Sequence, residues 1–451
     1  MRRSAIPFVA IIGAVGCGQW QRVGSTDQPQ PGTTVPRLFD AATTYRAMGL
    51  MVGRGNMPFV ADVRYLAGPR PDSVLSIIAV SLTNQGLDFQ RDGAEFVADY
   101  RVEATFTPDT GPAITATRDE RVRVRTFQET LRSDESVIFQ QIVRIPPRKY
   151  TVGLLVRDSH GPHLARAERV DTVPSFSGPA LSRPIAVYEG KGRDSLAELP
   201  KLLVNPKATL PYGTDTLRFY VEAYGVPSGT RLAAQVVDQG GTVLWRDTIP
   251  IRGSNPAAVR FGFPPTMLSV GQAAFEVRTA GASTQLAARS PMLVSFSGQW
   301  VITNLDDMLF LLRFFTRQDE VEKLRKTPPA ARDSAWRDFW RVTDPTPITP
   351  ENEALDEYFR RLQAANQRFR DEGEQGWLTD RGEVFITLGD PDDVLDMSNG
   401  MDRTGSRTIR WTYNELRLVL FFLDQGFGRF QLTPTSRAEY QRVLARVRRS
   451  Q

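Results

Sequence analysis

The sequence has one cysteine and two histidines among its 451 residues. A single cysteine cannot form a disulfide within the chain, and it cannot supply a cysteine-ligated metal cluster. Two histidines leave little material for a zinc site or for histidine-based acid–base catalysis. The chain also lacks an apolar run of the ~20 residues that a membrane-spanning helix needs. We therefore expect no metal, no cofactor and no polytopic membrane fold.

What is present is the composition of an ordinary globular protein, with 41% hydrophobic and 24% charged residues. At ~150 residues per domain, the length predicts about three domains. The formal net charge is +5, and arginine supplies most of the positive charge because lysine occurs only six times. The arginines are spread along the chain and not gathered in one patch. The sequence therefore predicts no nucleic-acid partner.

The N-terminus has the anatomy of a secretory signal peptide. Met1-Arg2-Arg3 is a basic start, and Ala5 to Gly16 is an almost unbroken apolar stretch that ends in small residues. Ala14-Val15-Gly16-Cys17 resembles the lipobox of bacterial lipoproteins, in which the cysteine becomes the acylated first residue of the mature chain. We expect residues 1–17 to be the lipoprotein signal peptide and lipobox, with Cys17 as the lipidation site. A plain signal peptide with an incidental cysteine is the alternative.

Residues 18–56 are expected to form a tether and a short helix. The stretch 18–37 is rich in Gln, Gly, Thr and Pro, which is typical of an unfolded linker. Apolar residues return in Phe39 to Leu50, which favours a short helix. By resemblance to lipoprotein sorting rules, Gly18 after the cysteine implies an outer-membrane lipoprotein. The folded part would then face the periplasm or the cell surface.

Period-two alternation dominates residues 57–175. It is clearest in Phe96, Ala98, Tyr100, Val102, Ala104 and Phe106, which place apolar side chains on one face of a strand. Further strands are predicted at Val60–Leu66, Val74–Leu82, Arg121–Phe127, Val137–Ile145 and Tyr150–Val156. Short strands at this spacing, separated by Gly, Pro, Asp and Asn clusters, predict a first β-sandwich domain.

The strand pattern returns in residues 184–297, after a Pro/Ser/Gly-rich linker at 174–184. Strands are predicted at Leu217–Ala223, Leu232–Val237, Val243–Trp245, Val259–Phe263 and Ala274–Val277. Each region contains a hairpin signal, Pro108-Asp109-Thr110-Gly111 in the first and Asp238-Gln239-Gly240-Gly241 in the second. A second β-sandwich domain is therefore expected. Together the two regions predict two tandem Ig-like β-sandwich domains.

Two clusters in these regions favour a structural interpretation over a functional one. His160 and His163 are the two histidines of a His-x-x-His pair, but a metal needs at least three ligands, and Gly161-Pro162 indicates a hairpin tip. Arg121, Arg123 and Arg125 alternate with valines, which is typical of a solvated strand face. We expect a surface turn and a solvated face.

From Asn304 the apolar period becomes helical. Leu305, Met308, Leu309, Leu312 and Phe315 recur at spacings of three and four, and Trp336, Phe339 and Trp340 indicate a second helix between Pro328-Pro329 and Pro345. A third helix is predicted to start at Thr349-Pro350-Glu351, where threonine can cap and proline fits the first turn. Its apolar face would carry Leu355, Tyr358, Phe359, Leu362 and Phe369.

Three strands and a helix are expected to end the chain. The strands are Ile409–Tyr413, Leu416–Leu423 and Arg429–Leu432, and Arg437–Arg449 predicts a final amphipathic helix. Residues 301–451 therefore predict an α+β C-terminal domain with helices packed on a small antiparallel sheet. The whole chain is expected to be mainly β plus α+β.

Three segments of this domain, in this order, resemble the GWxTD-domain family of bacterial envelope proteins. They are Phe339-Trp340-Arg341-Val342-Thr343-Asp344-Pro345-Thr346-Pro347-Ile348-Thr349-Pro350-Glu351-Asn352-Glu353, then Ala365-Asn366-Gln367-Arg368-Phe369, then Gly376-Trp377-Leu378-Thr379-Asp380-Arg381-Gly382. The resemblance implies an envelope location and this architecture. It implies no catalytic residue, so Trp340, Asp344, Pro345, Asn352, Glu353 and Gly376 to Gly382 are interpreted as structural motif residues.

The third segment can also be interpreted physically. Thr379-Asp380-Arg381-Gly382 favours a β-turn that leads into a strand at 384–388, with Trp377 covering the core beside it. Gly389-Asp390-Pro391 would end that strand and start a short helix capped by Asp390. Calcium binding by Asp390, Asp392, Asp393 and Asp396 is the less favoured alternative, because the cluster lacks the spacing and the final glutamate of an EF-hand loop.

The favoured function is a non-catalytic, lipid-anchored envelope protein that serves as a protein–protein interaction or assembly module. Its partners would be other envelope proteins and, through acylated Cys17, the membrane. The first alternative is a carboxylate-dependent hydrolase of cell-wall glycan or peptide, with Asp344, Asp380 and Arg381 as weak catalytic candidates. The second is a component of a secretion or surface-motility apparatus. The sequence does not indicate an oligomeric state.

Overall fold

The computed structural model describes residues 41–130, 136–212, 216–253, 255–264, 268, 270–281, 285–295, 305–328, 331–349, 352–369, 374–397, 407–426 and 428–450. The signal peptide, the lipobox with Cys17 and the tether predicted for residues 18–37 lie outside these residues. Within them the fold is mainly β, and the strands form several sheets that are antiparallel except for one parallel pair.

The first β region follows a short helix, α1 (Ala41–Ala47), and contains a second one, α2 (Phe127–Thr130). Its strands in chain order are β1 (Met51–Val52), β2 (Arg54–Gly55), β3 (Phe59–Ala67), β4 (Val74–Thr83), β5 (Gln90–Asp92), β6 (Glu95–Pro108), β7 (Ile114–Val124), β8 (Ser136–Ile145), β9 (Lys149–Asp158) and β10 (Leu164–Thr172). Sheet A has the order β1-β3-β4-β8. Sheet B has the order β2-β10-β9-β6-β5, with β7 paired to β6.

The alternation predicted for β6 is present, since its side chains are alternately buried and half-exposed from Ala98 to Phe106. The hairpin predicted at Pro108–Gly111 joins β6 to β7. Strand β7 ends at Val124, earlier than predicted, because helix α2 starts soon after it. The Thr126 hydroxyl donates to the Glu129 carboxylate and accepts from the N–H of Glu129 at the start of this helix. Apolar residues of sheets A and B share one hydrophobic core.

The two clusters noted in this region have structural roles. The backbone N–H groups of His160 and Gly161 donate to the Asp158 carboxylate at 2.8 and 2.9 Å, which forms the turn between β9 and β10. On the exposed face of β6 and β7, Arg121 pairs with Asp99, with Nε 2.6 Å from Oδ1. The basic stripe is therefore partly neutralised by acidic residues on the neighbouring strand.

The second β region contains the next ten strands. They are β11 (Ala180–Leu181), β12 (Ile185–Gly192), β13 (Lys201–Val204), β14 (Thr209–Pro211), β15 (Leu217–Tyr224), β16 (Arg231–Asp238), β17 (Val243–Pro250), β18 (Ala257–Phe263), β19 (Gly271–Ala280) and β20 (Ala287–Ser295). Sheet C has the order β11-β15-β12-β13, with β18 paired to β15. Sheet D has the order β14-β20-β19-β16-β17, and β14 runs parallel to β20.

Sheet A is buried on both faces, and this joins the two β regions. Along β4, Val74, Ile78 and Val80 point into the core shared with sheet B, whereas Leu75 and Ile77 lie in a second cluster with residues of sheet C. Strand β15 likewise divides its side chains between sheet A and the core shared with sheet D. The sheets therefore stack in the order B, A, C, D.

The segment predicted as a linker, residues 174–184, is part of this packing. Ala180 and Leu181 pair with β15 as strand β11, and the Phe176 ring lies 4.7 Å from the Tyr224 ring, centroid to centroid. The prediction of a linker missed these contacts because Pro, Ser and Gly indicate irregular backbone but do not indicate whether that backbone is docked.

A buried ion pair of the sheet C region lies at the interface with sheet A. The side chains of Arg193 and Glu222 have no exposed surface, and Arg193 Nε and Nη2 donate to the two Glu222 oxygens at 3.0 and 2.8 Å. Nη2 also donates to the carbonyl of Ala67 in sheet A at 2.5 Å. The hydroxyls of Tyr220 and Tyr224 donate to the same carboxylate. Each oxygen of Glu222 is therefore hydrogen-bonded, as a buried charge requires.

The C-terminal region begins with helices and ends with a four-stranded sheet. The helices are α3 (Leu305–Leu311), α4 (Gln318–Lys326), α5 (Arg332–Thr343), α6 (Glu353–Arg368), α7 (Asp380–Leu388) and α8 (Pro434–Ser450). Sheet E has the order β21 (Asp393–Asp396), β22 (Thr408–Tyr413), β23 (Leu418–Asp424), β24 (Phe430–Leu432), all antiparallel. The final helix predicted from Arg437 is α8, which buries Tyr440, Val443 and Leu444. No described helix has the length and apolar character needed to cross a membrane.

Tyr212 joins the C-terminal helices to the second β region. Its ring lies 5.8 Å from Trp336 and 4.8 Å from Trp340, both on α5. Trp336 is fully buried, and the apolar residues of the helices belong to the same cluster as those of sheets C and D. The helices therefore pack on the second β region through aromatic contacts.

We predict that replacing Arg193 with methionine destabilises the protein by about 3 kcal/mol or more, because it leaves the Glu222 carboxylate buried without its cation. The control is Arg101→Met, which removes an exposed ion pair with Asp119 and should cost less than about 1 kcal/mol. Urea unfolding followed by tryptophan fluorescence measures both. Equal losses in the two variants would show that the buried pair does not hold sheets A and C together.

Candidate functional site

The Gly-Trp-Leu-Thr-Asp segment forms the start of a helix. Gly376–Leu378 is a single 3₁₀ turn, and α7 begins at Asp380 with Thr379 as its N-cap. The Thr379 hydroxyl accepts from the N–H of Gly382 at 3.0 Å and donates to the carbonyl of Gly376 at 2.8 Å. Thr379 thereby satisfies a free N–H of the first helical turn.

The prediction of a β-turn followed by a strand at 384–388 was therefore wrong. Val384, Phe385, Ile386 and Thr387 are all buried, although they lie on a helix. Because α7 is enclosed on all sides, its apolar residues show no helical periodicity in the sequence. A short run of β-branched and aromatic residues without that periodicity resembles a buried strand. The cap at Thr379 followed by acidic Asp380 was the signal that indicated a helix.

Glycine is required at two positions of the motif by close packing. A side chain at Gly382 would overlap the carbonyl of Gly376, and one at Gly376 would overlap the carbonyl of Ala365 on α6. The 3₁₀ turn, α7 and α6 therefore meet backbone to backbone at these glycines. The motif fixes how close the three elements can lie.

Trp377 fills the space beneath this junction. It is fully buried, and its indole N–H donates to the Gln375 side-chain oxygen at 2.9 Å. Phe310 of α3 meets it edge-on, with ring centroids 5.5 Å apart, and the Arg313 guanidinium lies 5.5 Å from its ring centroid. Burial lowers the pKa of Arg313, which remains far above neutral pH as a guanidinium. Trp377 therefore joins the motif to the first helix of the domain.

Asp380 and Arg381 attach the motif to sheet E and α8. One Asp380 oxygen accepts from the N–H of Leu432 on β24 at 2.7 Å and also pairs with Arg437 of α8. The Arg381 guanidinium lies 5.0 Å from the Phe369 ring centroid and 4.4 Å from that of Phe430. These charged groups bind other parts of the domain, although Asp380 also borders a small cleft of about 40 Å³.

Asp344 is not placed beside Asp380. It follows α5, and its carboxylate accepts from the N–H of Thr346 at 2.9 Å, which turns the chain at Pro345. An acid and a base of a hydrolase must face the same cleft. Asp344 is not among the residues that border the cleft beside Asp380. The cleft beside Asp380 is therefore not one that both candidate carboxylates border.

The segment from Trp340 to Glu353 joins α5 to α6. Asn352 caps α6, since its side-chain oxygen accepts from the N–H of Leu355 at 3.1 Å. Its amide nitrogen donates to the carbonyl of Trp340 and to the Thr343 hydroxyl, both at 3.0 Å. The cap predicted at Thr349 was misplaced by three residues. Thr349 instead bonds the Glu353 carboxylate at 2.5 Å and lowers the pKa of Glu353.

The acidic cluster after α7 starts a strand, not the short helix that was predicted. Asp393–Asp396 is β21, at the edge of sheet E. The carboxylates take separate arginine partners: Asp390 pairs with Arg368, Asp393 with Arg410 and Asp396 with Arg407. Among the described residues no group of three acidic, histidine or cysteine side chains could hold a metal ion. The described carboxylates therefore do not supply the set of ligands that the calcium alternative requires.

Strand β21 is an exposed edge that sequence reasoning did not identify as a functional surface. All four of its residues are exposed, including Val394 at 56% and Leu395 at 44%. Met397, just beyond the strand, is 44% exposed, and Val419 on β23 is 43% exposed. The available signal was a pair of aliphatic residues between aspartates, but it was interpreted as the start of a helix.

Glu383 lies half-buried between α7 and α8. The Tyr440 hydroxyl donates to its carboxylate at 3.2 Å, and Arg437 lies 3.9 Å from it. Burial raises the pKa of Glu383 above its ordinary value of 4.5, although Tyr440 and Arg437 act in the opposite direction. Part of the stability is therefore present when Glu383 is protonated, and it is lost as pH rises from 4.5 through the raised pKa.

We predict that Glu383→Gln raises the free energy of unfolding at neutral pH, because glutamine keeps the oxygen that Tyr440 bonds and removes the cost of burying a charge. The variant should also lose part of the decline in stability between pH 4.5 and 7. Urea unfolding at several pH values measures this, with the exposed Glu439→Gln as control. A variant less stable than the parent at pH 7 would show that attraction to Arg437 outweighs burial.

Comparisons with known proteins give one informative result. Curated protein sequences contain no match to this chain. Among solved structures, the chain is similar to a tetra-tandem repeat in the extending region of a large adhesion protein, with 10% identity and a TM-score of 0.19 over 49% of this chain and 57% of that chain. It is also similar to the BSP domain of a biofilm-associated protein, with 7% identity and a TM-score of 0.16 over 52% of this chain and 51% of that one.

These structural matches cover only about half of the adhesion-protein and biofilm chains, and TM-scores this low carry no argument about fold or function. The sequence comparison is stronger, since residues 282–422 match the family model of the GWxTD domain. This range contains the capped turn at Thr379, the buried Trp377 and the Asn352 cap. Residues 282–422 of the chain therefore contain a GWxTD domain.

Proposed function

We propose that the protein is a non-catalytic, lipid-anchored component of the cell envelope, and that its C-terminal domain binds an extended segment of another envelope protein. The observation that carries this proposal is the open edge of sheet E at β21. Charged motif residues such as Asp380 and Arg381 are occupied by contacts within the domain. Among the described residues, the outer side of β21 is not paired with another strand.

The backbone of β21 is arranged to accept another strand. The N–H of Met397 donates to the carbonyl of Thr408 at 2.8 Å, so residues 393 and 395 also direct their backbone groups towards β22. By alternation, the N–H and C=O groups of Val394 point away from β22. An added strand would find there the hydrogen-bonding groups that β-augmentation uses.

The side chains at this edge favour a different protein over a second copy. Exposed aliphatic residues on an edge strand are unusual, because most edges are protected by charge, proline or a covering element. Two copies of β21 paired antiparallel about their centre would place Asp393 opposite Asp396, and like charges in opposition are destabilising. An extended segment with aliphatic residues, and without acidic residues opposite these aspartates, fits better.

The rest of the chain is proposed to carry this domain at the membrane. Sheets A and B, and sheets C and D, each share a core, which supports two tandem Ig-like sandwiches. The lipobox-like Ala14-Val15-Gly16-Cys17 supports acylation at Cys17 and an outer-membrane location. Membership of a secretion or surface-motility apparatus would use the same surfaces.

The β21 edge can be tested by blocking its free side. Val394→Pro removes an N–H that points away from β22, so the strand should stay paired within sheet E. We predict that a photo-crosslinker at position 397 in cells yields an adduct in the parent and in the control Val394→Thr, and that Val394→Pro loses it. An adduct of equal yield in Val394→Pro, with thermal unfolding unchanged in both variants, would contradict docking by strand addition.

The anchor is tested separately. We predict that Cys17→Ser moves the protein from the membrane fraction to the soluble fraction and abolishes metabolic labelling with a clickable palmitate analogue, because burial of acyl chains provides ~0.8 kcal/mol per methylene. Gly18→Ser, which keeps the cysteine, is the control. A Cys17→Ser protein that remained in the membrane fraction would show that the cysteine is incidental.

A further inference from the structure

A groove on the outer face of sheet D has no role in the function proposed above. It has a volume of about 580 Å³ and lies across strands β16, β17, β19 and β20. Its walls include Arg246, Arg278 and Arg289, with Glu276 and Gln235 between them. We call this surface the arginine groove. It lies on the face of sheet D that points away from the core shared with sheet C.

The pairing register fixes the order of these side chains. Arg246, Gln235, Glu276 and Arg289 stand in one row across four neighbouring strands. In the next row, Thr248, Ala233, Arg278 and Ala287 are neighbours. Ala233 therefore leaves a gap in the layer of side chains, with Arg278 beside it and Arg246 diagonal to it. The alanines at this depth form the floor of the groove.

Two of the three arginines are available to a ligand. Arg289 pairs with Glu276 at 3.3 Å, and the Gln235 amide donates to the other Glu276 oxygen at 2.9 Å, so this carboxylate is occupied. Asp247 also borders the groove, but alternation turns its side chain to the opposite face of β17, and its carboxylate accepts from the N–H of Thr248. Among the described residues, neither Arg246 nor Arg278 has an acidic partner or a side-chain hydrogen bond. The groove therefore carries two unneutralised guanidinium groups.

We propose that the arginine groove binds an acidic, extended segment of another protein. Guanidinium groups form paired hydrogen bonds with carboxylates, which gives both affinity and orientation. With strands ~4.8 Å apart and ~3.3 Å of rise per residue, the Cα atoms of Arg246 and Arg278 are separated by about 12 Å. Acidic residues two to four positions apart in an extended segment reach both guanidinium groups.

The groove is less suited to an acidic polysaccharide. Sugar rings are commonly held by stacking on aromatic faces, and none of the residues that line the groove is aromatic. The small side chains of Ala233 and Ala287 instead allow a peptide backbone to approach the sheet closely. The Gln235 amide, beside the floor, offers the polar group that a backbone carbonyl or N–H can bond.

The groove continues towards α1. A second depression, of about 250 Å³, shares Arg289 with it and is bordered by Met48, Arg183 and Pro291. Burial lowers the pKa of Arg183, which nevertheless stays charged at neutral pH. Asp238 also borders this depression, and its carboxylate accepts from the N–H of Thr242 at 2.7 Å. A segment lying along both depressions would pass from Arg246 to Arg183 and meet an arginine at each end and Arg289 between them. This extent favours a polymeric ligand over a single small anion.

The test measures binding of the full-length chain, in detergent, to a fluorescein-labelled peptide of alternating glutamate and serine by fluorescence anisotropy. We expect saturable binding that weakens about tenfold or more in the double variant Arg246→Gln/Arg278→Gln. The control, Arg157→Gln/Arg166→Gln, removes the same charge from exposed positions of sheet B and should bind like the parent. A lysine–serine peptide of the same length should not bind.

Three outcomes would overturn the proposal. The first is that the glutamate–serine peptide does not bind. The second is equal weakening in the two double variants, which would show that only net charge matters. The third concerns polygalacturonate and inorganic phosphate. If one of them displaces the peptide fully and binds less well to Arg246→Gln/Arg278→Gln, while the peptide binds that variant as well as it binds the parent, the groove would be assigned to another class of anion. Unchanged thermal unfolding of both variants shows that the fold is kept.

Discussion

Burial of both faces of sheet A is the constraint on which the arrangement of the β regions depends. Strand β4 presents Ile78 to sheet B and Ile77 to sheet C, so neither neighbour can be removed without exposing an apolar face. The Arg193–Glu222 pair lies within the second of these interfaces, and its charges are acceptable there because two tyrosine hydroxyls and the carbonyls of Ala67, Leu196 and Glu198 complete the hydrogen bonds. The two β regions therefore form one stack of sheets, and Tyr212 joins the C-terminal helices to it.

The GWxTD motif has an analogous role in the C-terminal domain. Its glycines allow three backbone segments to meet, its threonine caps a helix, its tryptophan contacts α3, and its aspartate bonds β24 and α8. Each motif residue therefore acts through a contact within the domain. This explains why a short, specific sequence can define a domain family without being a set of reacting groups. It also directs attention to surfaces outside the motif, where exposed aliphatic residues and unpaired arginines are found.

The sequence predicted the helices and strands that bury only one face, because their hydrophobic periodicity is visible in the local sequence. Strand β6 alternates because one of its faces is apolar, and α6 repeats at three and four because it buries one stripe, so both were identified. The sequence failed where an element is enclosed on all sides, as in α7, whose buried residues carry no period. It also failed where a role depends on pairing between distant strands. Nothing near Arg246 or Arg278 in the chain indicates that the register of sheet D brings them to one groove. Nothing near Asp393 indicates that, among the described strands, β21 pairs on one side only.

The position of α1 determines where the chain enters the stack of sheets. Although α1 precedes the first β region in sequence, Tyr45 and Met48 pack with the core of the second, and the Tyr45 hydroxyl, whose pKa burial raises to about 12, bonds Thr209. The chain thus enters the stack near its middle instead of at its outer end. Sheets B and D therefore lie on either side of α1, so an attachment through α1 would hold the stack near its centre and not at one end.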